Sequence, residues 1–168
     1  MIKFKLVVFF LVISLLSACS SGSERKNEIT FFNKITFPLR AKERVIDLKP
    51  SITKDYESMF TTETGLAAPL FRYVEHPDYR IFLAIPYNTT FAQLKENRYL
   101  KNAELQEEKS TNTYHFRAYR TEKREILHEL IKLEENNIIY LLAQTQHPAV
   151  ADSVLGHEVL SKRIQRNE

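Results

Sequence analysis

The histidines and carboxylates that could do acid-base or metal chemistry do not form a known motif. His76 and Asp78 flank Pro77, an arrangement more typical of a structural turn than of metal ligands. His157-Glu158 is followed by Ser161 at the position where a zinc-protease helix needs its second histidine. The sequence therefore predicts no catalytic residue, no metal ligand and no cofactor.

Glycines and acidic side chains give equally little support for nucleotide binding or hydrolysis. The chain has only 3 glycines, far apart, so it lacks a phosphate-cradling loop and the nucleophile elbow of common hydrolases. Paired carboxylates could act as general acid and base, and Asp55, Glu57 and Glu63 are candidates for such a pair. Because they fall on a polar helix and loop, we expect them to be solvated surface groups.

Residues 114–120 interleave aromatic and basic side chains, and Lys123 follows in a turn. A period of two divides such a strand into an inner and an outer face. The inner face would hold Tyr114, Phe116 and Ala118, and the outer face His115, Arg117 and Tyr119. With Lys123, the outer set is a candidate surface for binding an anionic envelope component or an acidic protein. The alternative is a half-buried strand with a charged outer face, because alternation alone explains the pattern.

The first 18 residues have the layout of an export signal that is later removed. Lys3 and Lys5 precede an apolar run over residues 6–16, and small residues lead into Cys19. The run is too short for a transmembrane helix, which needs roughly 20 apolar residues. Because an exported protein does not meet cytosolic nucleic acid, we expect no nucleic-acid partner.

Leu16-Ser17-Ala18-Cys19 resembles the lipobox of bacterial lipoproteins, and the chain has no second cysteine. The resemblance implies that residues 1–18 are a lipoprotein signal peptide and that acylated Cys19 becomes the first residue of the mature protein. Two or more acyl chains hold a protein stably on a membrane, so the membrane is an expected partner. Ser20, in place of an aspartate, implies sorting to the outer membrane in a diderm cell. The alternative is an ordinary secretory signal with a cysteine at this position by chance.

The mature chain is predicted to be one domain behind a short tether. Residues 19–28 are the lipidated tether, rich in small and polar side chains. Residues 29–168 have the length of a single domain. With its cysteine used for lipid, the domain cannot form an internal disulfide, so its hydrophobic core must supply its stability.

The first half of the domain is predicted to hold two strands, a helix, a loop and a hairpin. The first is a half-buried strand over residues 29–37 that ends at Pro38. A short strand over residues 44–48, a helix over residues 50–60 and a loop over residues 61–68 follow. The last is a hairpin of residues 71–74 and 79–85. Residues 79–85 are apolar on both faces. That pattern predicts a central strand.

The second half is predicted to continue the antiparallel sheet. It begins with a helix that is capped by Thr89 or Thr90 and runs to Asn97. An antiparallel pair formed by Leu105 and residues 113–120 follows. At the end of the domain, a helix runs from Pro148 to Ile164. Between them, residues 125–134 suit either an amphipathic helix or a strand paired with residues 138–146. We favour the hairpin, because residues 135–137 form a plausible turn between segments of matching length.

The predicted fold class is α+β, an antiparallel sheet flanked by helices on both faces with a closing C-terminal helix. Residues 126–164 combine a late hairpin, an apolar strand that contains Tyr140, and that closing helix. This order resembles the PsbP-like and DcrB-like folds of small exported proteins. The resemblance implies a fold and no catalytic residues.

We therefore expect a membrane-anchored envelope lipoprotein that acts as a non-catalytic binding or assembly module. One alternative is a hydrolase-like envelope enzyme whose site is assembled from scattered histidines and carboxylates. A second alternative is a lipoprotein that neutralises a toxin or inhibits another envelope enzyme, which is itself a binding function.

Replacing Cys19 with Ala is expected to abolish lipidation and to leave an unprocessed or soluble form, because the cysteine thiol accepts the lipid in lipoproteins. Fatty-acid labelling and detergent-phase partitioning measure this. Labelling that persists in the variant would contradict the lipoprotein interpretation.

Overall fold

The computed structural model describes residues 27–31, 34–46, 70–96, 100, 103–134 and 136–166. These ranges contain ten strands and three helices. The strands are β1 (Glu28–Phe31), β2 (Ile35–Pro38), β3 (Arg44–Val45), β4 (Leu70–His76), β5 (Tyr79–Ile85), β6 (Ala103–Ser110), β7 (Tyr114–Thr121), β8 (Ile126–Glu134), β9 (Asn137–Thr145) and β10 (Gln165–Arg166). The helices are α1 (Phe91–Glu96), α2 (Pro148–Ser153) and α3 (His157–Arg163).

Seven strands form one antiparallel sheet in the order β3-β4-β5-β9-β8-β7-β6. The strands β1, β2 and β10 form a small second sheet in the order β1-β2-β10. In the large sheet β5 pairs with β9, which joins the strands from the first half of the domain to those from the second. Both β5 and β9 are therefore inner strands.

The large sheet is buried on both faces, which is why its inner strands carry apolar residues at successive positions. On one face Leu141 belongs to a cluster with Phe37 of β2 and Leu160 of α3. On the other face Leu142 belongs to a cluster with Leu94 of α1. Each fully buried leucine contributes about 1.5–3 kcal/mol to folding. Helices thus cover both faces, as predicted, although strands make up most of the described structure.

The late hairpin is confirmed. β8 pairs with β9 from Ile126 opposite Thr145 to Glu134 opposite Asn137, so the helical alternative for residues 125–134 is wrong. The hairpin of β4 and β5 is also confirmed, and β5 has the predicted central position.

The predicted cap of α1 is confirmed at Thr90. The Gln93 amide donates to Thr90 Oγ1 at 3.2 Å, and the Thr90 amide donates to Gln93 Oε1 at 2.8 Å. This reciprocal pair is a capping box, which satisfies amides that the first helical turn leaves without a partner.

The single strand predicted over residues 29–37 is wrong, because the segment is the hairpin of β1 and β2. Phe31 pairs with Ile35, and Ile29 pairs with Phe37. All four side chains are buried. Residues directly opposite each other in an antiparallel pair point to the same face, so a hairpin gives the same alternation as one long strand. Of the second predicted strand, over residues 44–48, the structure describes a strand at Arg44–Val45, and residues 47 and 48 lie outside the described residues.

The single C-terminal helix is also wrong, although Pro148 begins a helix as predicted. Residues 154–156 separate α2 from α3, and β10 follows α3. Gly156 has extended backbone angles, and a Cβ atom there would meet the Asp152 carbonyl oxygen at 2.7 Å. The backbone at Gly156 can therefore lie this close to the Asp152 carbonyl group of α2 only because position 156 has no side chain.

The helix predicted over residues 50–60, the loop over 61–68 and the carboxylates Asp55, Glu57 and Glu63 lie outside the described residues. So do the predicted signal peptide, Cys19 and most of the predicted tether. Within the described ranges, no helix has the length and apolar character needed to cross a membrane.

His128 connects the large sheet to the C-terminal helices. Its Nδ1 donates a hydrogen bond to the Leu155 carbonyl oxygen at 2.7 Å, and its ring meets the Phe116 ring edge-on. Burial lowers the pKa of His128, and the opposing effects of the Leu155 hydrogen bond and the Asp152 charge are smaller. The unfolded chain therefore takes up a proton at this residue before the folded protein does.

The free energy of unfolding is expected to fall as the pH drops through the ordinary histidine pKa of about 6.5. In that range the unfolded state binds more protons than the folded state. The loss of stability that His128 causes stops at pH values below its folded-state pKa. His128→Gln should weaken this pH dependence relative to the parent protein. Urea denaturation of both proteins between about pH 8 and pH 5 measures it. An unaltered slope in His128→Gln would contradict the assignment.

Candidate functional site

One end of the large sheet carries an open cleft of about 680 Å³, which we call the end cleft. Residues 75–80 of the β4–β5 hairpin and residues 144–147 at the end of β9 form its walls, and Lys42, Arg44 and Glu125 complete the rim. The volume lies within the range of about 300–1,000 Å³ that is usual for ligand sites. Most of the lining side chains are polar or charged, which suits a polar ligand.

Hydrogen bonds at the strand ends hold the walls of the end cleft together. Thr145 Oγ1 donates to the Asp78 carbonyl oxygen at 2.8 Å and accepts from the His147 amide at 3.1 Å. The His76 ring stacks on Tyr79 with the ring centroids 4.3 Å apart, and its Nδ1 accepts from the Asp78 amide at 3.2 Å. His76 and Asp78 therefore act as parts of the turn, as the sequence predicts.

The rim of the end cleft carries charges of both signs. Arg44 and Glu75 form an exposed ion pair at 2.6 Å. Among the described residues, no hydrogen bond or ion pair reaches the side chains of Lys42, Arg80 and Glu125. A ligand with both anionic and cationic groups could therefore bind there without breaking an internal bond.

Glu43 fixes the turn that carries Lys42 to the rim. Its buried carboxylate accepts hydrogen bonds from Arg163 at 2.9 and 2.5 Å, from Tyr79 Oη at 2.6 Å and from the Arg40 amide at 2.7 Å. Burial raises the pKa of Glu43, but these hydrogen bonds outweigh burial and lower it. Lys42 itself has a φ of 69°, a left-handed conformation that costs a non-glycine residue about 1–3 kcal/mol.

The partner-binding surface predicted on β7 is wrong, because three of its four residues are buried. His115, Arg117 and Tyr119 are 4%, 1% and 1% exposed, and only Lys123 is exposed. The predicted alternation itself is correct, since the residues between them belong to the opposite core. What the alternation could not show is that α1 covers the face assigned to solvent.

Arg117 and Tyr119 surround Glu129 of β8, which has no exposed surface. Glu129 accepts hydrogen bonds from Tyr140 Oη at 2.6 Å, from Tyr119 Oη at 3.2 Å and from Arg117 at 3.2 Å. We call Arg117, Tyr119, Glu129 and Tyr140 the buried polar cluster. Three donors suit the ionised carboxylate, which can only accept.

Arg117 extends the buried polar cluster to two neighbouring elements. Its Nε donates to Glu108 Oε1 of β6 at 2.9 Å, and a terminal nitrogen donates to the Lys95 carbonyl oxygen in the last turn of α1. A cation at the C-terminal end of a helix is favourable. Arg117 thus fixes α1 onto the sheet.

The pKa shifts in the buried polar cluster follow from its burial. Burial raises the pKa of Glu129, and the hydrogen bonds from Tyr140 and Arg117 oppose this shift. Burial and the Glu129 charge raise the pKa of Tyr119 and Tyr140, so both phenols remain donors near neutral pH. Closed to solvent and bonded to one another, these groups position α1 and are not accessible to a substrate.

His115 lies beside the buried polar cluster with both ring nitrogens buried. Its Nε2 is 3.0 Å from Glu108 Oε1, but the angles are not those of a hydrogen bond, and no described residue bonds either nitrogen. Burial and the Arg117 charge lower the pKa of His115. His115 is therefore a neutral interior residue rather than a surface ligand.

Glu129, the centre of the buried polar cluster, was not predicted from the sequence. Strand register places Glu108, Arg117 and Glu129 side by side on β6, β7 and β8. A signal was present, because Glu129 shares its face of β8 with Leu127 and Ile131. A carboxylate on an apolar face needs buried partners, but only the register identifies them.

The five histidines do not converge on one site. His76 and His147 line the end cleft, His128 and His157 flank the Phe116 ring, and His115 lies on the opposite face of β7. Within the described part of the chain, no group of three or more His, Cys, Asp and Glu side chains could hold a metal ion.

No protein-family model and no curated protein sequence matches the chain. The solution structure of cyanobacterial PsbP (CyanoP) from Synechocystis sp. PCC 6803 matches with a TM-score of 0.54 and 12% sequence identity, over 89% of this chain and 97% of that chain. The fold is PsbP-like. At this identity the match shows a common fold alone, so the sites of this PsbP-like chain must be argued from its own residues.

Arg117→Met is expected to lower the free energy of unfolding by about 3–5 kcal/mol, because buried Glu129 would lose its cation. Lys123→Met, at the exposed member of the surface predicted from sequence, should change it by no more than about 0.5 kcal/mol. Urea denaturation compares the two. Adding Glu129→Leu to Arg117→Met should recover part of the loss by removing the unpaired charge. Equal, small effects of the two single variants would show that Arg117 is not in the core.

Proposed function

We propose that this protein is a lipid-anchored binding module of the cell envelope, on the outer membrane of a diderm cell, that holds its partner in the end cleft without changing it chemically. The observation that carries the proposal is the set of charged rim side chains, Lys42, Arg80 and Glu125, which have no partner among the described residues. Such groups can bind a ligand directly. A few polar groups placed around a cleft are what gives a binding site its specificity.

The end cleft is built on fixed elements, which favours binding. The Thr145 hydrogen bond to Asp78 joins β9 to the β4–β5 turn, and the Tyr79 hydrogen bond to Glu43 joins that turn to the segment before β3. Walls that are already ordered lose little conformational entropy when a ligand binds. The unusual backbone of Lys42 is held in place by the same contacts.

The titratable groups favour binding over catalysis. Glu129 and Arg117 are closed to solvent, and His115 and His128 are buried with lowered pKa values. In the end cleft the Nδ1 of His76 is already used by the Asp78 amide. A general base must reach a substrate proton, and the buried groups are not placed to do so.

The predicted lipid anchor is consistent with the proposed location. Leu16-Ser17-Ala18-Cys19 resembles a lipobox, and an acylated Cys19 would keep the domain at a membrane surface. A binding module held there meets partners that are themselves in or near that membrane.

Photo-crosslinking in living cells tests the proposal. A photoreactive amino acid at Gln146, which is exposed on the cleft wall, is expected to capture a defined partner. The same group at Lys34, exposed at the far end of the β1–β2 hairpin, is the positional control and should not capture it. Lys42→Glu with Arg80→Glu should abolish capture from Gln146, whereas Lys34→Glu should not.

Capture that is equal from both positions, or that survives reversal of the rim charges, would contradict a binding role for the end cleft. Circular dichroism of each variant checks that the fold is retained, which we expect because Lys42, Arg80 and Lys34 are exposed.

A further inference from the structure

The chain enters the domain at the same end as the end cleft. The Leu39 amide donates to the Asn27 carbonyl oxygen at 2.7 Å, and Glu28 pairs with Pro38. The start of β1 is therefore fixed against the end of β2. Only three residues separate Pro38 from Lys42 on the cleft rim.

Two side chains connect this entry point to the cleft wall. Arg163 donates to the Pro38 carbonyl oxygen at 2.8 Å and to Glu43 at 2.5 Å. Glu43 in turn accepts from the hydroxyl of Tyr79, which lines the cleft. Because every link is a hydrogen bond of a buried side chain, the entry point and the end cleft hold a fixed relative position.

The tether is too short to let the domain turn over. Seven residues separate Cys19 from Asn27, and the eight Cα–Cα steps between these two residues span at most about 29 Å. A globular domain of this length is roughly 37 Å across. An anchored domain therefore cannot place its entry end on the side away from the membrane, so the end cleft can reach the lipid headgroups.

The end cleft carries equal numbers of positive and negative side chains, which favours a lipid headgroup with both charges over a headgroup with negative charge alone. The cations are Lys42, Arg44 and Arg80, and the carboxylates are Glu75, Asp78 and Glu125. A purely anionic headgroup would be repelled by these carboxylates. A ligand that carries both a phosphate and an ammonium group can pair with both sets.

We propose that the end cleft binds the zwitterionic headgroup of a phospholipid that carries a phosphate and a primary ammonium. Arg80 and Lys42 bind the phosphate, for which the guanidinium fork is well suited. Glu125 accepts hydrogen bonds from the ammonium. This inference rests on the proposed function and deepens it, since it names the partner of the same cleft.

Vesicle flotation tests the inference with the full mature chain carrying Cys19→Ser, so that an acyl chain does not itself cause binding. The vesicles are phosphatidylcholine alone, or phosphatidylcholine with half replaced by phosphatidylethanolamine or by phosphatidylglycerol. We expect about tenfold stronger binding to the phosphatidylethanolamine vesicles than to phosphatidylcholine, whose quaternary ammonium cannot donate to Glu125.

Three variants assign the contacts. Lys42→Glu with Arg80→Glu should reduce binding about tenfold, through loss of the phosphate contacts. Glu125→Gln should remove the preference for phosphatidylethanolamine over phosphatidylcholine. Lys34→Glu, at the other end of the β1–β2 hairpin, is the matched control and should bind as the parent does.

Equal binding to phosphatidylcholine and phosphatidylethanolamine would overturn the inference. So would binding that follows the phosphatidylglycerol content and rises in Glu125→Gln, because the cleft would then recognise negative charge alone. If no vesicle binds while Gln146 still captures a protein in cells, the lipid inference fails and the proposed function stands. If both vesicle binding and capture are absent, both fail.

Discussion

Glu129 is a carboxylate with no exposed surface on an inner strand of a seven-stranded sheet, and its donors come from the strands on both sides. Tyr140 lies on β9, and Tyr119 and Arg117 lie on β7. A slip of either strand by one residue would turn these donors to the opposite face. An ionised carboxylate buried without partners is strongly unfavourable, so Glu129 selects the register of the three strands. Through Lys95, Arg117 extends that constraint to α1.

Glu43 is a second buried carboxylate that holds several elements together, at the end of the molecule. Its pKa is shifted in the opposite direction from that of Glu129. Burial dominates at Glu129 and raises its pKa, whereas at Glu43 the hydrogen bonds of Arg163, the Arg40 amide and Tyr79 dominate and lower it. Glu43 joins the small sheet, the last helix and the β4–β5 turn. It therefore fixes both the rim of the end cleft and the point at which the chain enters the domain.

Much of the fold could be predicted from apolar periodicity, because burial on one or two faces leaves a direct record in the sequence. The two hairpins β4–β5 and β8–β9, the central position of β5 and the start of α2 at Pro148 were predicted in this way. The positions at which the chain reverses direction were harder to predict from the sequence. Ile29 and Phe37 face the same core whether they lie on one strand or on two paired ones. The C-terminal segment keeps helical spacing across Gly156, although the helix ends before it.

The sequence by itself determined which residues are apolar and which strands are covered on both faces, and it predicts an export signal that ends in a lipobox-like pattern. Only the tertiary structure decided what surrounds a charge. Arg117 is buried between Glu108 and Glu129, whereas Arg80 is exposed beside the end cleft. The patterns of their strands, alternating in β7 and apolar in β5, do not reveal this difference. The physical reason is that a charge is stabilised by groups distant in sequence, and strand register and the packing of α1 determine whether those groups are protein or water.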